Sequence, residues 1–242
     1  MVQSQLEVFD SSRYIRTVFS HSSRLFRQQK MRFSTVRKAI LTCSDRNNTR
    51  VLQLNDFPRR NALGLDMLRA LDSALSGDFS SYRSILIKSD GGKVFCAGHD
   101  LHELKSDAGA ESHAEIFGLC KVVMNRIRQV EVPVICQVSG IAAAAGCQLV
   151  AACDIVLADE SAKFSVPGAN SIGLFCHSPA VQLARAIPDK VSFYMLSTGK
   201  YLSAGDALAA GLVSRLAPNE NLEDVVEETI QAIEETSRYI SD

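Results

Sequence analysis

Residues 142–154 read AAAAGCQLVAACD. Four alanines and a glycine follow the strand-like run VPVICQVSG (132–140) and lead straight into a helical pattern. The first backbone N–H groups of a helix have no internal partner and lie at the positive end of its dipole. Small side chains at such a junction let another group approach that backbone closely. One turn further in stands Gln148, an amide where chemistry on this platform would want a carboxylate.

A second stretch, FCAGHD (95–100), also places small residues where a strand hands over to a helix. Two N–H groups from different segments, aimed at one point, would make a hole for an oxyanion. Tight packing of helix on strand favours the same residues. Spacing alone leaves both readings open.

The rest of the chain alternates. RVLQLND (50–56), SILIKS (84–89) and DIVLAD (154–159) read as strands. GLDMLRALDSAL (64–75) carries Leu65, Leu68, Leu71 and Leu75 on one helical face, and residues 114–129 carry Ile116, Cys120, Val123 and Ile127. Residues 94–104 pass from small residues into a helix. Residues 178–187, 191–198 and 203–211 are helical in pattern, the last with Ser203 as N-cap and Asp206 three residues on. Leu222, Val226, Ile230 and Ile233 mark a final helix. Such alternation with short connections predicts an α/β fold, a mainly parallel sheet flanked by helices. With 242 residues, 46% of them hydrophobic, the chain can bury one large core or two small ones.

Charge is uneven. Residues 1–39 hold eight basic and two acidic side chains, leaving 18 basic against 25 acidic, a balance of −7, in residues 40–242. The leader is rich in Arg and Ser and lacks the apolar core of roughly 7–15 residues that marks a secretory signal. Residues 1–38 therefore read as a mitochondrial transit peptide or a disordered basic leader, with residues 39–242 as the folded domain. The −7 balance argues against a broad phosphate-binding surface, so no nucleic-acid partner is expected. The most apolar stretch, 140–153, is interrupted by Gln148 and falls short of a membrane span, so no membrane insertion is expected. The seven cysteines form no CxxC pair and read as reduced, buried small residues. No metal is expected; His99 and His102 are the one hint of a ligand pair, and their context explains them otherwise.

That context is a resemblance. RRNALGLDMLRAL (59–71), VFCAGHDL (94–101), VPVICQVSGIAAAAGCQLVAACDIVLADESAKFSVP (132–167) and GKYLSAGDALAAGLVSRLAP (199–218) resemble, in order, the segments of the crotonase, or enoyl-CoA hydratase/isomerase, superfamily. The resemblance covers roughly residues 40–240. It implies a spiral of ββα units, trimers paired into hexamers, and an acyl-CoA thioester in the site. Coenzyme A then enters as part of the substrate, with no other cofactor. Asn61, Ala62 and Leu63 correspond to the segment bordering the CoA nucleotide. Ala97, Gly98, Asp100, Leu101 and His102 correspond to the stretch lining the acyl-CoA site. The two oxyanion donors correspond to the main-chain N–H groups of His99 and Ala145. The latter stands where the family commonly has glycine, and its methyl would disfavour a positive φ. His102 is expected to face solvent.

The hydratases of this superfamily use two glutamates, one to activate water and one to manage the α-proton. Their positions here hold Gln148 and Gly168. An amide can orient water but cannot take its proton near neutral pH. Asn170, Ser171 and His177 follow Gly168, and His177 is the one base among them. Structural packing is the expectation for all three, and Glu103, Glu111 and Glu115 read as exposed helical charges. Members usually continue past a helix ending near Ile240, so the C-terminal helical part is expected to be incomplete and trimers unstable. The leading expectation is a mitochondrial matrix protein of fatty acid metabolism that binds acyl-CoA with little or no hydratase activity. The alternatives are an active isomerase, thioesterase or decarboxylase, or an RNA-binding or assembly protein on the same fold.

Overall fold

In the computed structural model of the chain, which describes residues 39–89, 92–105, 109–171, 173 and 175–236, successive strands enter two different sheets. The expectation for residues 1–38 lies outside the described residues. β1 (Leu41–Arg46) and β2 (Thr49–Leu54) form an antiparallel hairpin that turns at Asn47, φ 50°. α1 (Leu65–Leu75) follows, and β3 (Ser84–Ser89) pairs parallel with β2. β4 (Val94–Cys96) then leaves for a second sheet, and α2 (Leu101–Lys105) and α3 (Gly109–Gln129) return the chain.

The next turn repeats the pattern. β5 (Val134–Val138) joins β3, β6 (Ile141–Ala143) joins β4, and α4 (Ala145–Ala152) closes the unit. A third turn gives β7 (Ile155–Asp159), β8 (Lys163–Ser165) and the short α5 (Gly168–Ser171). α6 (His177–Ala186), α7 (Asp189–Thr198), β9 (Leu202–Ser203), α8 (Ala204–Ala209), β10 (Arg215–Ala217) and α9 (Leu222–Glu235) complete the described chain. The large sheet runs β1-β2-β3-β5-β7-β10 and the small one β4-β6-β8-β9. β1 and β9 are the antiparallel members. This is the α/β spiral of ββα units that the resemblance implies.

Period-two alternation sorts the large sheet into two faces. Leu52, Leu54, Ile85, Ile87, Val134 and Cys136 point into the main core, shared with the small sheet and with α1, α3 and α4. Val51, Leu86, Ile135 and Leu157 point the other way, onto Leu222, Val226 and Ile230 of α9. Burial on both faces explains why residues 85–87 of β3, ILI, are an unbroken apolar run. Each fully buried aliphatic side chain of α9 contributes about 1.5–3 kcal/mol. Polar contacts tie down both ends of that helix. Glu223 accepts from Arg46 (2.5 Å) and Gln137 (3.0 Å) and pairs with Lys88 (3.3 Å), and Arg83 donates to the Ile233 carbonyl (2.9 Å).

Ser203 caps α8, its hydroxyl accepting from the Asp206 N–H at 3.1 Å. Cys96, Cys120, Cys136 and Cys147 are buried as expected, whereas Cys43 is exposed on β1. Among the described residues, no helix is long and apolar enough to cross a membrane, and no three His, Cys, Asp or Glu are grouped as metal ligands would be.

Candidate functional site

The two small-residue junctions meet. Gly98 leaves β4 with φ 90°, and a Cβ there would stand 2.9 Å from the Ala143 oxygen and 3.1 Å from the Ala145 nitrogen. Gly146 packs as closely in return, since a Cβ on it would lie 2.4 Å from the Cys96 oxygen. Only glycine at both places lets the end of β4 rest on the start of α4. Residues 60–63 hold the first junction from the other side. Ala97 N–H donates to the Arg60 carbonyl (3.1 Å), Leu63 N–H to the Gly98 carbonyl (2.7 Å), and the Asn61 amide to the Phe95 carbonyl (3.0 Å). Asn61, Ala62 and Leu63 are accordingly buried.

At the second junction the positive φ falls on Ala144, with φ 49° and ψ −119°, and not on Ala145. Ala145 is the first helical residue of α4, so its methyl carries no such strain, contrary to the expectation from the family's glycine. As the first residue of α4, Ala145 has an N–H with no intrahelical acceptor. The His99 N–H likewise has no backbone acceptor among the described residues.

A cavity of about 480 Å³ opens beside this contact, between α3 and α6, and both His99 and Gln148 line it. Gln148 is 5% exposed, and its side-chain oxygen has no hydrogen-bond partner among the described residues. Gln182 of α6 lines the same cavity in the same condition. Lys121 of α3 and Arg185 of α6 add two cations, and no Asp or Glu is among the lining residues.

The His99 ring is fixed in place. Its Nδ1 lies 3.2 Å from the Leu63 carbonyl, and its plane meets Phe117 edge-on at 5.1 Å. A carbonyl can only accept, so Nδ1 carries the proton and Nε2 the lone pair. Burial pulls the imidazole pKa below its ordinary value, against opposing contributions from the Leu63 hydrogen bond and Glu103. Burial pushes the neighbouring Cys120 thiol up to about 12.

Other expected site residues are not among the described residues lining the cavity. Asp100 is buried, accepts from the His102 N–H at 2.8 Å and pairs with Arg59 at 3.9 Å. Leu101 and His102 are exposed on α2. Gly168 is buried at the start of α5 and is not among the residues lining the cavity. Asn170 is exposed and lies against Gly199, and Ser171 is exposed beside it. His177 begins α6; its side chain lies outside the described residues. Glu111 and Glu115 are exposed charges, Glu115 paired with Arg69 at 2.6 Å. Glu103 instead accepts from the Leu65 N–H at 2.9 Å and so caps α1. Sequence reading missed the His99 imidazole, Gln182, Lys121 and Arg185. The helical spacing of Gln182 and Arg185 on α6 offered a signal, but nothing local turned that face toward Gln148.

Comparison with known proteins agrees with this architecture. The enoyl-CoA hydratase/isomerase family model matches residues 44–242. Human enoyl-CoA hydratase domain-containing protein 3, mitochondrial, is 46% identical over 192 residues, 79% of this chain. The chain spans 63% of that relative's length. The crystal structure of the human protein of that name superposes with a TM-score of 0.78 at 41% identity, covering 83% of this chain and 79% of that one. An enoyl-CoA hydratase structure from Mycobacterium smegmatis gives 0.79 at 40% identity, with the same coverage of each chain. By its sequence, its winding and the meeting of its two junctions, the chain belongs to the enoyl-CoA hydratase/isomerase (crotonase) family.

Proposed function

We propose that this chain binds acyl-CoA thioesters in the mitochondrial matrix, as part of fatty acid metabolism, and hydrates enoyl thioesters little or not at all. The observation that carries this reading is the buried Gln148 amide at a cavity beside the two touching junctions. The main-chain N–H groups of His99 and Ala145 hold the thioester oxygen, and the acyl chain enters the cavity between α3 and α6. Coenzyme A is part of the ligand, and no other cofactor takes part. The basic Ser/Arg-rich leader directs the chain to mitochondria, in keeping with the name of the human relative. Family members assemble as trimers or hexamers, and a trimer of low stability is proposed for this chain.

The balance of effects explains the expected inactivity. One oxyanion donor is worth about 10²–10³ in rate, and that part of the machinery is backbone. A positioned acid or base is worth about 10²–10⁴, and both carboxylates are replaced, by Gln148 and Gly168. Water activation is what the site lacks.

Calorimetric titration with acetyl-, butyryl- and octanoyl-CoA tests binding, and crotonyl-CoA hydration tests the chemistry. Binding without hydration above background is expected. The double change Gln148→Glu with Gly168→Glu should raise hydration at least about tenfold, and either single change much less, because the two groups act as a unit. Burial would hold a carboxyl at position 148 partly protonated, opposed by Lys121 and Arg185. Failure to bind any of the three thioesters, or ordinary enzymatic hydration by the unaltered protein, defeats the reading.

A further inference from the structure

The site that lacks two carboxylates contains an imidazole. His99 meets three requirements of a general base at this cavity, each from a separate observation. It lines the cavity together with Gln148. Its Nδ1 is bound to the Leu63 carbonyl, 36 residues away in sequence, so the tautomer leaves Nε2 unprotonated. The Nδ1 contact with Leu63 is the one hydrogen bond of the ring among the described residues, so Nε2 is not taken up by another side chain. The Leu63 clamp works from both sides, because the Leu63 N–H also donates to the Gly98 carbonyl immediately before His99.

We infer that His99 Nε2 removes and returns the α-hydrogen of a saturated acyl-CoA thioester held in this cavity. The assignment rests on the reading of the site as a thioester-binding one. The same residue then contributes twice, its main-chain N–H receiving the thioester oxygen and its ring the adjacent proton. In the forward step the α C–H bond breaks and the proton passes to Nε2. The electron pair moves into the thioester, placing negative charge on the oxygen between the His99 and Ala145 N–H groups. In the reverse step the imidazolium returns a proton to the same carbon. In D₂O the ring exchanges with solvent between the steps, so a deuteron replaces the hydrogen and nothing else changes. No oxidant or second base is needed, unlike hydration, which must also activate water.

The surroundings suit a neutral imidazole. Burial lowers its pKa, so the free base is the resting form near neutral pH. Lys121 and Arg185 line the same cavity and disfavour a further positive charge there, whereas Glu103 on α2 acts the opposite way. Gln148 is uncharged, and the Cys120 thiol, pushed up to about 12, stays protonated. Among the described residues lining the cavity, His99 is the group available to take a proton.

The test follows loss of the α-methylene signal of butyryl-CoA in D₂O by proton NMR, with binding measured in parallel by calorimetry. The unaltered protein should exchange these hydrogens well above the buffer rate. His99→Asn keeps the main-chain N–H and places an amide donor near Leu63, but has no lone pair for the proton. With each protein saturated by butyryl-CoA, as calorimetry establishes, the variant should exchange it at least about 100-fold more slowly. Exchange by the unaltered protein should also fall in acid as the imidazole protonates, with no such fall in the variant. Binding without exchange, or equal exchange by His99→Asn, overturns the role of His99 and leaves thioester binding standing. Absence of binding by the unaltered protein overturns both. If His99→Asn does not fold, His99→Gln carries the same comparison.

Discussion

At Gly98 the chain turns out of β4 with φ 90°, and at Ala144 it turns out of β6 with φ 49° and ψ −119°. The two turns lie against each other, and only one of them uses glycine. The space between them explains the asymmetry. A Cβ on Gly98 would stand 2.9 Å from the Ala144 methyl, so the pair has room for one side chain, which Ala144 supplies. Alanine in this conformation costs about 1–3 kcal/mol. The second turn therefore stores strain that the first does not, and the strain is held by the Ala144 N–H bond to the Ser165 carbonyl (2.9 Å) and by the packing of α4.

The largest expected effect tests whether the contact between the junctions is as tight as described. Gly146→Ala would press a methyl onto the Cys96 carbonyl and should destabilise the fold by about 3 kcal/mol, the upper end for overpacking. A denaturant midpoint unchanged from that of the parent would show that the junctions do not touch. A smaller effect, of opposite sign, tests the strain at the second turn. Ala144→Gly should stabilise by about 1 kcal/mol, the relief of strain less the added freedom of the unfolded chain. A lower urea midpoint would mean that the methyl contributes more by packing than it costs in backbone strain.

The smallest effect concerns the residue that follows Gly98. Burial depresses the His99 pKa below 6.5 in the folded protein. Above that value both folded and unfolded forms are neutral. As pH falls through 6.5 the unfolded chain takes up its proton first, so stability is lost on acidification, by at most about 1.4 kcal/mol per pH unit. His99→Asn should flatten this part of the stability profile. An unchanged slope would place the titrating group elsewhere.

The sequence showed some of this and hid the rest for identifiable reasons. α1 and α9 were legible because Leu68, Leu71 and Leu75, and Leu222, Val226 and Ile230, repeat at helical spacing and are buried. β1 was missed because LTCSDR is a half-exposed edge strand with no fully buried residue. The small sheet was missed because β4, β6 and β8 have three residues each, too few to show alternation. The expected glycine-like conformation fell one residue early, on Ala144, because a family pattern fixes which residues occur but not which dihedral each adopts. The His99 ring stayed hidden because its role there was assigned through its main chain. Only the folded chain brings the Leu63 carbonyl to the ring and fixes which nitrogen holds the proton.

The clasp of α9 on the large sheet has a consequence for how the chain is made. Val51 and Leu86 belong to strands completed early, yet their outer face is covered by Val226 and Ile230. In a chain delivered N-terminus first, that face stays bare until α9 arrives. Contacts joining such distant parts of a sequence form slowly, and an uncovered apolar sheet is a target for aggregation meanwhile. Folding yield should therefore respond more to chaperones that shield an incomplete sheet than the stability of the finished molecule alone would imply.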